Sequence, residues 1–265
     1  MPWRGSAKKD ISPDMPRSDM KALMLAAGMG NRLTGRDETH HPKCLLRFDG
    51  RSLLDRHIEN LQTLGVEELV LVVGYRAHEI EAEVAALGAN DFVRFVTNPR
   101  YREGSVISMW TGRDALDSGS PVLFMDADVL YSADILQRLI AGPGTTCFPF
   151  DTSFEDGEEP VKVCLRGDRP VEFRKAVPNS DYETVGEWVG FIRMDPDFAS
   201  ALSRRTDDYV KAGRTEDPYE EAVRDLLLSD VGDTVGAVDI AGLPWIEIDF
   251  PEDVERARAK VLPHL

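Results

Sequence analysis

Hydrophobic and polar positions along this chain fall into two kinds of block. Short apolar runs, Ala22 to Ala26, Leu69 to Val73, Phe92 to Val96 and Val122 to Met125, are too brief for core helices and read as buried strands. Between them apolar residues recur three and four apart: Ser52 to Leu64, with apolar side chains at 53, 54, 58, 61 and 64, then Ala77 to Leu87, Ser105 to Leu116 and Ala133 to Ile140. That spacing gathers the apolar side chains on one helical face. Gly65, Gly74 and Gly88 stand where these elements must stop. Strands separated by such helices make βαβ units around a mostly parallel sheet.

The second half has another rhythm. Thr145 to Phe150, Val161 to Leu165, Val171 to Phe173 and Trp188 to Met194 read as strands with little helix between them. Pro196 to Ser203 and Tyr219 to Leu228 have helical spacing, Thr234 to Ile240 and Trp245 to Ile248 are strand-like, and Glu252 to Val261 is a last helix. No internal repeat appears. The expected fold class is α/β, a mostly parallel sheet flanked by helices with a β-rich insertion. Residues 1–19 are polar, contain proline and lack an apolar core, so they read as a disordered leader. Residues 20–265 read as one domain: 20–144 as its first half, 145–244 as the part bearing the insertion, and 245–265 as the closing strand and helix.

Charge narrows the classes. The 265 residues hold 31 Lys+Arg against 47 Asp+Glu, a formal charge of −16. That excludes a general nucleic-acid binder, which needs a basic face to displace counterions, although a few Arg and Lys can still hold a phosphate. Three dispersed cysteines, Cys44, Cys147 and Cys164, make neither a disulfide framework nor a zinc site. No run reaches the ~18 apolar residues of a membrane span. A cytoplasmic protein with no membrane partner is expected. A homo-oligomer is compatible with the sequence, which carries no mark of the assembly state.

Three places carry chemistry. Gly28-Met29-Gly30 follows the first strand and is followed by Arg32; glycines there let backbone N–H groups approach phosphate oxygens, and a guanidinium matches phosphate geometry. Position 33 is leucine rather than the third glycine of a dinucleotide fingerprint, and the Gly-Lys-Ser/Thr of a Walker A loop is missing. By itself the turn is equally a plain strand-to-helix connection. Lys43, after Pro42, is a second cation near it or an ordinary surface lysine. Asp126 and Asp128 sit at the carboxyl end of a buried strand, where open α/β sheets place ligands; the pair suits magnesium or is a solvated turn. Asp249 follows another apolar strand and is a further candidate ligand, while Glu252 and Asp253 suit a helix start. His40 and His41 lack zinc spacing and read as a lid. His57 and His78 read as surface residues on helices, and the acidic run 155–159 as a solvated hairpin loop.

Together, Leu25 to Leu33, Pro42 to Leu46, Asp126 to Asp128 and Ile246 to Asp253 resemble the motifs of nucleotidyltransferases of the sugar-nucleotide pyrophosphorylase, or MobA-like, superfamily. The resemblance spans about residues 20–262. Asn98 to Ser108, Val161-Lys162, Lys175, Gly186 to Gly190 and Tyr219-Glu220 are similar to the branch of cytidylyltransferases acting on phosphocholine and 2-aminoethylphosphonate; many members carry an Asn-Asn pair where this chain has Gly104-Ser105. The resemblance implies a Rossmann-like fold with an acceptor-binding insertion, and transfer of CMP from CTP to a small phosphorylated alcohol or phosphonate, with Mg2+. It implies that Ala27, Gly28 and Gly30 hold the nucleotide, with Gly104, Ser105 and Ser108 closing over the base. Arg32 and Lys43 would serve the triphosphate, and Asp128 and Asp249 the metal, with Asp126 alongside on the nucleotide side. Lys162, Lys175, Glu187, Tyr219 and Glu220 would face the acceptor. Alternatives are a sugar-1-phosphate nucleotidyltransferase using UTP, dTTP or GTP, and a non-catalytic nucleotide-binding subunit.

Overall fold

A computed structural model describes residues 19–34, 40–154, 160–177 and 181–265. The leader (residues 1–18 of it) and the acidic run 155–159 lie outside the described residues. The first half runs β1 (Lys21–Ala26), α1 (Asn31–Thr34), a single 3-10 turn (Lys43–Leu45), β2 (Arg47–Phe48), β3 (Arg51–Ser52), α2 (Leu53–Leu64), β4 (Glu68–Val73), α3 (Ala77–Ala86), β5 (Val93–Thr97), α4 (Ser105–Thr111), α5 (Arg113–Leu116), β6 (Val122–Asp126), β7 (Val129–Tyr131) and α6 (Asp134–Ala141). The second runs β8 (Thr146–Asp151), β9 (Lys162–Arg166), β10 (Arg169–Arg174), β11 (Thr184–Trp188), β12 (Phe191–Met194), α7 (Pro196–Lys211), α8 (Tyr219–Leu227), β13 (Val235–Asp239), β14 (Trp245–Glu247) and α9 (Pro251–Arg256).

The central sheet has the order β10-β9-β11-β8-β12-β6-β1-β4-β5, with β13 laid parallel against β8. Strands β6, β1, β4 and β5 pair in parallel, as their apolar runs require. The antiparallel ladders belong to the insertion, β8 to β12. Alternation along the strands divides the core into two layers. Leu23, Val70, Val72 and Phe124 face α4, α7 and α8 on one side. Ala22, Met24, Leu69, Leu71 and Met125 face α2, α3 and α6 on the other. A smaller cluster of Phe48, Leu53, Leu130, Ile248, Ala257 and Val261 ties the end of the described chain to β2 and β7.

Local chemistry sets the ends. The Ser52 hydroxyl accepts from the Asp55 N–H (3.0 Å) to start α2, and left-handed Gly65 stops it. Two expected elements are broken. The helix expected over Ser105 to Leu116 is interrupted at Gly112, where a Cβ would sit 2.7 Å from a Leu23 methyl. The strand expected over Trp188 to Met194 is split by Gly190, whose φ of +86° leaves the strand region.

His57 is a correction. It was expected at the surface and is fully buried, because it follows Leu53 by four positions and Leu54 by three and so shares their apolar stripe. Its Nδ1 lies 3.3 Å from the Tyr131 hydroxyl. Burial lowers its pKa from 6.5 to about 4, against a backbone contact at Ala127 and the charge of Asp128. The unfolded chain therefore takes this proton at higher pH than the folded one. Stability from neutral His57 is present above about pH 6.5 and is lost as pH falls through 4, by about 3 kcal/mol at most. Denaturation midpoints of a His57→Gln variant should fall less steeply over that window than those of the parent; equal slopes would clear His57. His78 is exposed, as expected. The His40 ring packs on Tyr75 (centroids 5.2 Å apart) and His41 reaches Glu79 Oε2 at 2.6 Å.

Candidate active site

Strand β1 delivers the chain to the carboxyl edge of the parallel sheet, where it turns through Gly28-Met29-Gly30. Gly30 has φ +67°, and a Cβ there would lie 3.1 Å from Lys43 Cγ. Glycine is thus needed both for the turn and for the lysine stem that packs against it. The Ala27 carbonyl is held by the Tyr75 N–H (3.0 Å), and α1 then carries Arg32.

Strand β6 delivers the acids to the same edge. It ends at Asp126, the chain turns at Ala127-Asp128, and β7 pairs antiparallel with β14, setting Val129 opposite Glu247. The Ile248 N–H donates to the Asp128 carbonyl (3.0 Å), and the Asp253 carboxylate accepts from the N–H groups of Asp249 (3.0 Å) and Phe250 (2.7 Å). One carboxylate oxygen from each of Asp128, Glu247 and Asp249 falls within 4.8 Å of the others. The Lys43 ammonium donates to Asp128 Oδ2 (2.9 Å) and Asp249 Oδ1 (2.7 Å), and the Arg32 guanidinium lies 3.0 Å from the same Asp249 oxygen. Burial opposes the Lys43 charge, but Asp128 and Asp249 outweigh it and hold the ammonium above its ordinary pKa. Glu247 and Asp126 are pushed upward, by burial first and then by neighbouring acids.

These groups line a cavity of about 390 Å³ whose far wall is α4 and the start of α8. The Asn98 amide donates to Ser108 Oγ (3.0 Å), Ser105 Oγ accepts from the Tyr219 N–H (3.0 Å), and the Tyr219 hydroxyl donates to Asp126 Oδ2 (2.5 Å). Tyr219 is buried and stands on the cavity wall, where its hydroxyl meets Asp126. Glu220 also lines the cavity; its Oε2 is buried with no hydrogen-bond partner among the described residues, and burial raises its pKa. Gly104 does not line this cavity. A Cβ on it would lie 2.4 Å from the Glu216 carbonyl carbon and 2.5 Å from the Asp217 oxygen. Gly104→Ala must therefore push α4 from the segment leading into α8, and the thermal midpoint should drop by the equivalent of about 1–3 kcal/mol. An unchanged midpoint would show that this backbone yields freely.

A second cavity, about 490 Å³, shares Glu247 and Asp249 with the first and extends along Asp151, Glu187, Trp245 and Arg256. Glu187 and Asp151 are paired across β11 and β8. Burial first, then Asp151, raises Glu187 to about 7. The Trp245 indole N–H donates to Asp151 Oδ2 (2.9 Å). Lys162 is buried and donates to the Lys175 carbonyl (3.1 Å); neither lysine lines these two cavities.

The fold thus brings Ala27, Gly28, Gly30, Arg32, Lys43, Ser105, Ser108, Asp126, Asp128, Tyr219, Glu220 and Asp249 to one cavity, Glu187 to its neighbour, and Lys162, Lys175 and Gly104 to neither. Glu247 was missed by the sequence reading; its signal is an acid between two isoleucines, two residues before Asp249 and therefore on the same strand face. Three converging carboxylates are a donor set that fits a hard divalent cation such as Mg2+. No helix among the described residues is long and apolar enough to cross a membrane.

The chain resembles known proteins over most of its length. Residues 22–172 match the model of the family described as the MobA-like NTP transferase domain. Over 249 residues the chain is 32% identical to a bifunctional IPC transferase and DIPP synthase of Rubrobacter xylanophilus, covering 93% of this chain and 53% of that protein. It thus spans only about half the length of that relative. It is 24% identical to a CTP:phosphoglutamine cytidylyltransferase of Campylobacter jejuni, covering 89% of this chain and 98% of that one. The structure of the inositol-1-phosphate CTP transferase from T. maritima superposes with a TM-score of 0.72 at 23% identity, over 93% of this chain and 97% of that one.

Proposed function

The chain belongs to the MobA-like NTP transferase family, and from that premise we propose that it is a cytidylyltransferase, moving CMP from CTP to a small phosphorylated alcohol or phosphonate with release of pyrophosphate. The observation that carries this reading is one cavity that joins a glycine turn, the cations Arg32 and Lys43 and the converging carboxylates of Asp128, Glu247 and Asp249. Two similar proteins named for CTP support the choice of base.

In this reaction an acceptor oxyanion attacks the α-phosphorus in line, and the P–O bond to pyrophosphate breaks. The attacking oxygen is already nucleophilic, so the protein's work is alignment and charge compensation. Backbone groups of Ala27 and Gly28 hold the base, and Ser105 and Ser108 approach it from α4. Arg32 and Lys43 meet the triphosphate with charge-assisted hydrogen bonds. A divalent cation held by Asp128, Asp249 and Glu247 would oppose the charge gathering on the α-phosphate and on the departing pyrophosphate. The second cavity supports a place for the acceptor: it shares the Glu247–Asp249 wall, where a bound divalent cation would meet the acceptor's phosphate, and Asp151, Glu187 and Trp245 would meet its head group.

The test is pyrophosphate release with Mg2+, each of CTP, UTP, dTTP, GTP and ATP, and pooled acceptors: phosphocholine, 2-aminoethylphosphonate, inositol and glycerol phosphates, and sugar 1-phosphates. Release confined to CTP with a phospho- or phosphono-alcohol is expected. Release with UTP or dTTP and a sugar phosphate would replace this reading. Silence throughout, with nucleotide still bound, would mark a non-catalytic subunit.

A further inference from the structure

Lys43 is held at the two oxygens best placed to take a metal. Its ammonium lies 2.9 Å from Asp128 Oδ2 and 2.7 Å from Asp249 Oδ1, and its side chain is only 14% exposed. A divalent cation binding those oxygens sits about 2.0–2.6 Å from them, so metal and ammonium compete for the same space and the same charge. With Lys43 gone, three carboxylates would face one another with Arg32 as the nearby cation. Such crowding is costly where the carboxylates are largely withdrawn from water, the Asp128 and Asp249 side chains being 21% and 15% exposed. The lysine stem runs along Gly30, the turn that faces the triphosphate in the proposed function. Rotation about its terminal bonds moves the ammonium from carboxylates to phosphates without displacing the backbone.

We infer that Lys43 is the resident counter-cation of the Asp128–Glu247–Asp249 cluster, and that a divalent cation enters as Lys43 leaves Asp128 and Asp249 for an incoming triphosphate. The inference rests on the cluster's role in the proposed nucleotidyl transfer. It makes metal and nucleotide binding interdependent: each strengthens the other, because the triphosphate gives the displaced lysine a new partner. The nucleotide-free protein is guarded against stray divalent cations by its own side chain.

The experiment titrates Mn2+ into the nucleotide-free full chain and counts free Mn2+ by electron paramagnetic resonance. Two neutral replacements, Lys43→Gln and Lys43→Met, are used so that a folding failure of one leaves the other. Both should bind Mn2+ at least about tenfold more tightly than the parent, because the competing charge is gone. Lys43→Arg, which keeps the charge, should stay weak, and adding Asp249→Asn to Lys43→Gln should erase the gain. Mn2+ should also raise the melting midpoint of the neutral variants more than that of the parent. Equal or weaker Mn2+ affinity in the folded neutral variants, including no binding to any chain, overturns the inference. Pyrophosphate release by the parent reports separately on the proposed function.

Discussion

Asp249→Asn is expected to slow pyrophosphate release by about a thousandfold or more while the chain stays folded. Asparagine keeps the shape of the side chain and one acceptor oxygen, so Lys43 and Arg32 retain a partner where Asp249 now meets both. The backbone is fixed independently, since Asp253 accepts from the N–H groups of residues 249 and 250. What is lost is a negative charge from a three-carboxylate group, and with it the hold on a divalent cation. Asp128→Asn should behave alike, because its oxygen occupies the equivalent place on the other side of Lys43. Steady-state rates at saturating CTP and Mg2+, read beside thermal midpoints, check both. Near-normal turnover in either folded variant removes that residue from the site.

The sequence made the parallel half legible because strands covered by helices on both faces must be apolar throughout. Leu69, Leu71 and Val73 face one layer and Val70 and Val72 the other, and the run has no other stable use. The ends of β1 and β6 were legible for the same reason: glycines and aspartates interrupt an apolar run where the sheet stops. Glu247 was harder to see. In a three-residue strand that pairs with β7 alone among the described residues, an acid between isoleucines reads as the wet face of an edge, and the β7–β14 ladder turns that face toward Asp128. Tyr219 and Glu220 were legible as polar residues opening a helix, but not the burial of Tyr219. That burial follows from the docking of α8 on α4, a contact between residues more than a hundred positions apart. Long-range approach leaves little trace in local periodicity. The burial of Lys162, whose ammonium meets the carbonyl of Lys175 beside the β9–β10 hairpin, is equally invisible in local periodicity.

Lys43→Ala should lower kcat/KM for CTP by about a hundred- to a thousandfold, the range for removing one charged donor from an anionic transition state. How the loss divides between kcat and KM tests what the lysine does. If it only anchored the triphosphate, KM would rise and kcat would stay, since ground state and transition state would lose equally. A lysine that moves from Asp128 and Asp249 onto the phosphates meets charge that grows as the bond to pyrophosphate breaks, so kcat should fall as well. Lys43→Arg should recover part of kcat/KM because the charge returns. Its recovery should be incomplete, because a longer side chain with a planar guanidinium meets the aspartates, and then the phosphates, in a different geometry from the ammonium. Unchanged kinetics in Lys43→Ala would reduce the lysine to a structural ion pair. A rise in KM alone would keep it at the triphosphate but remove it from the chemical step.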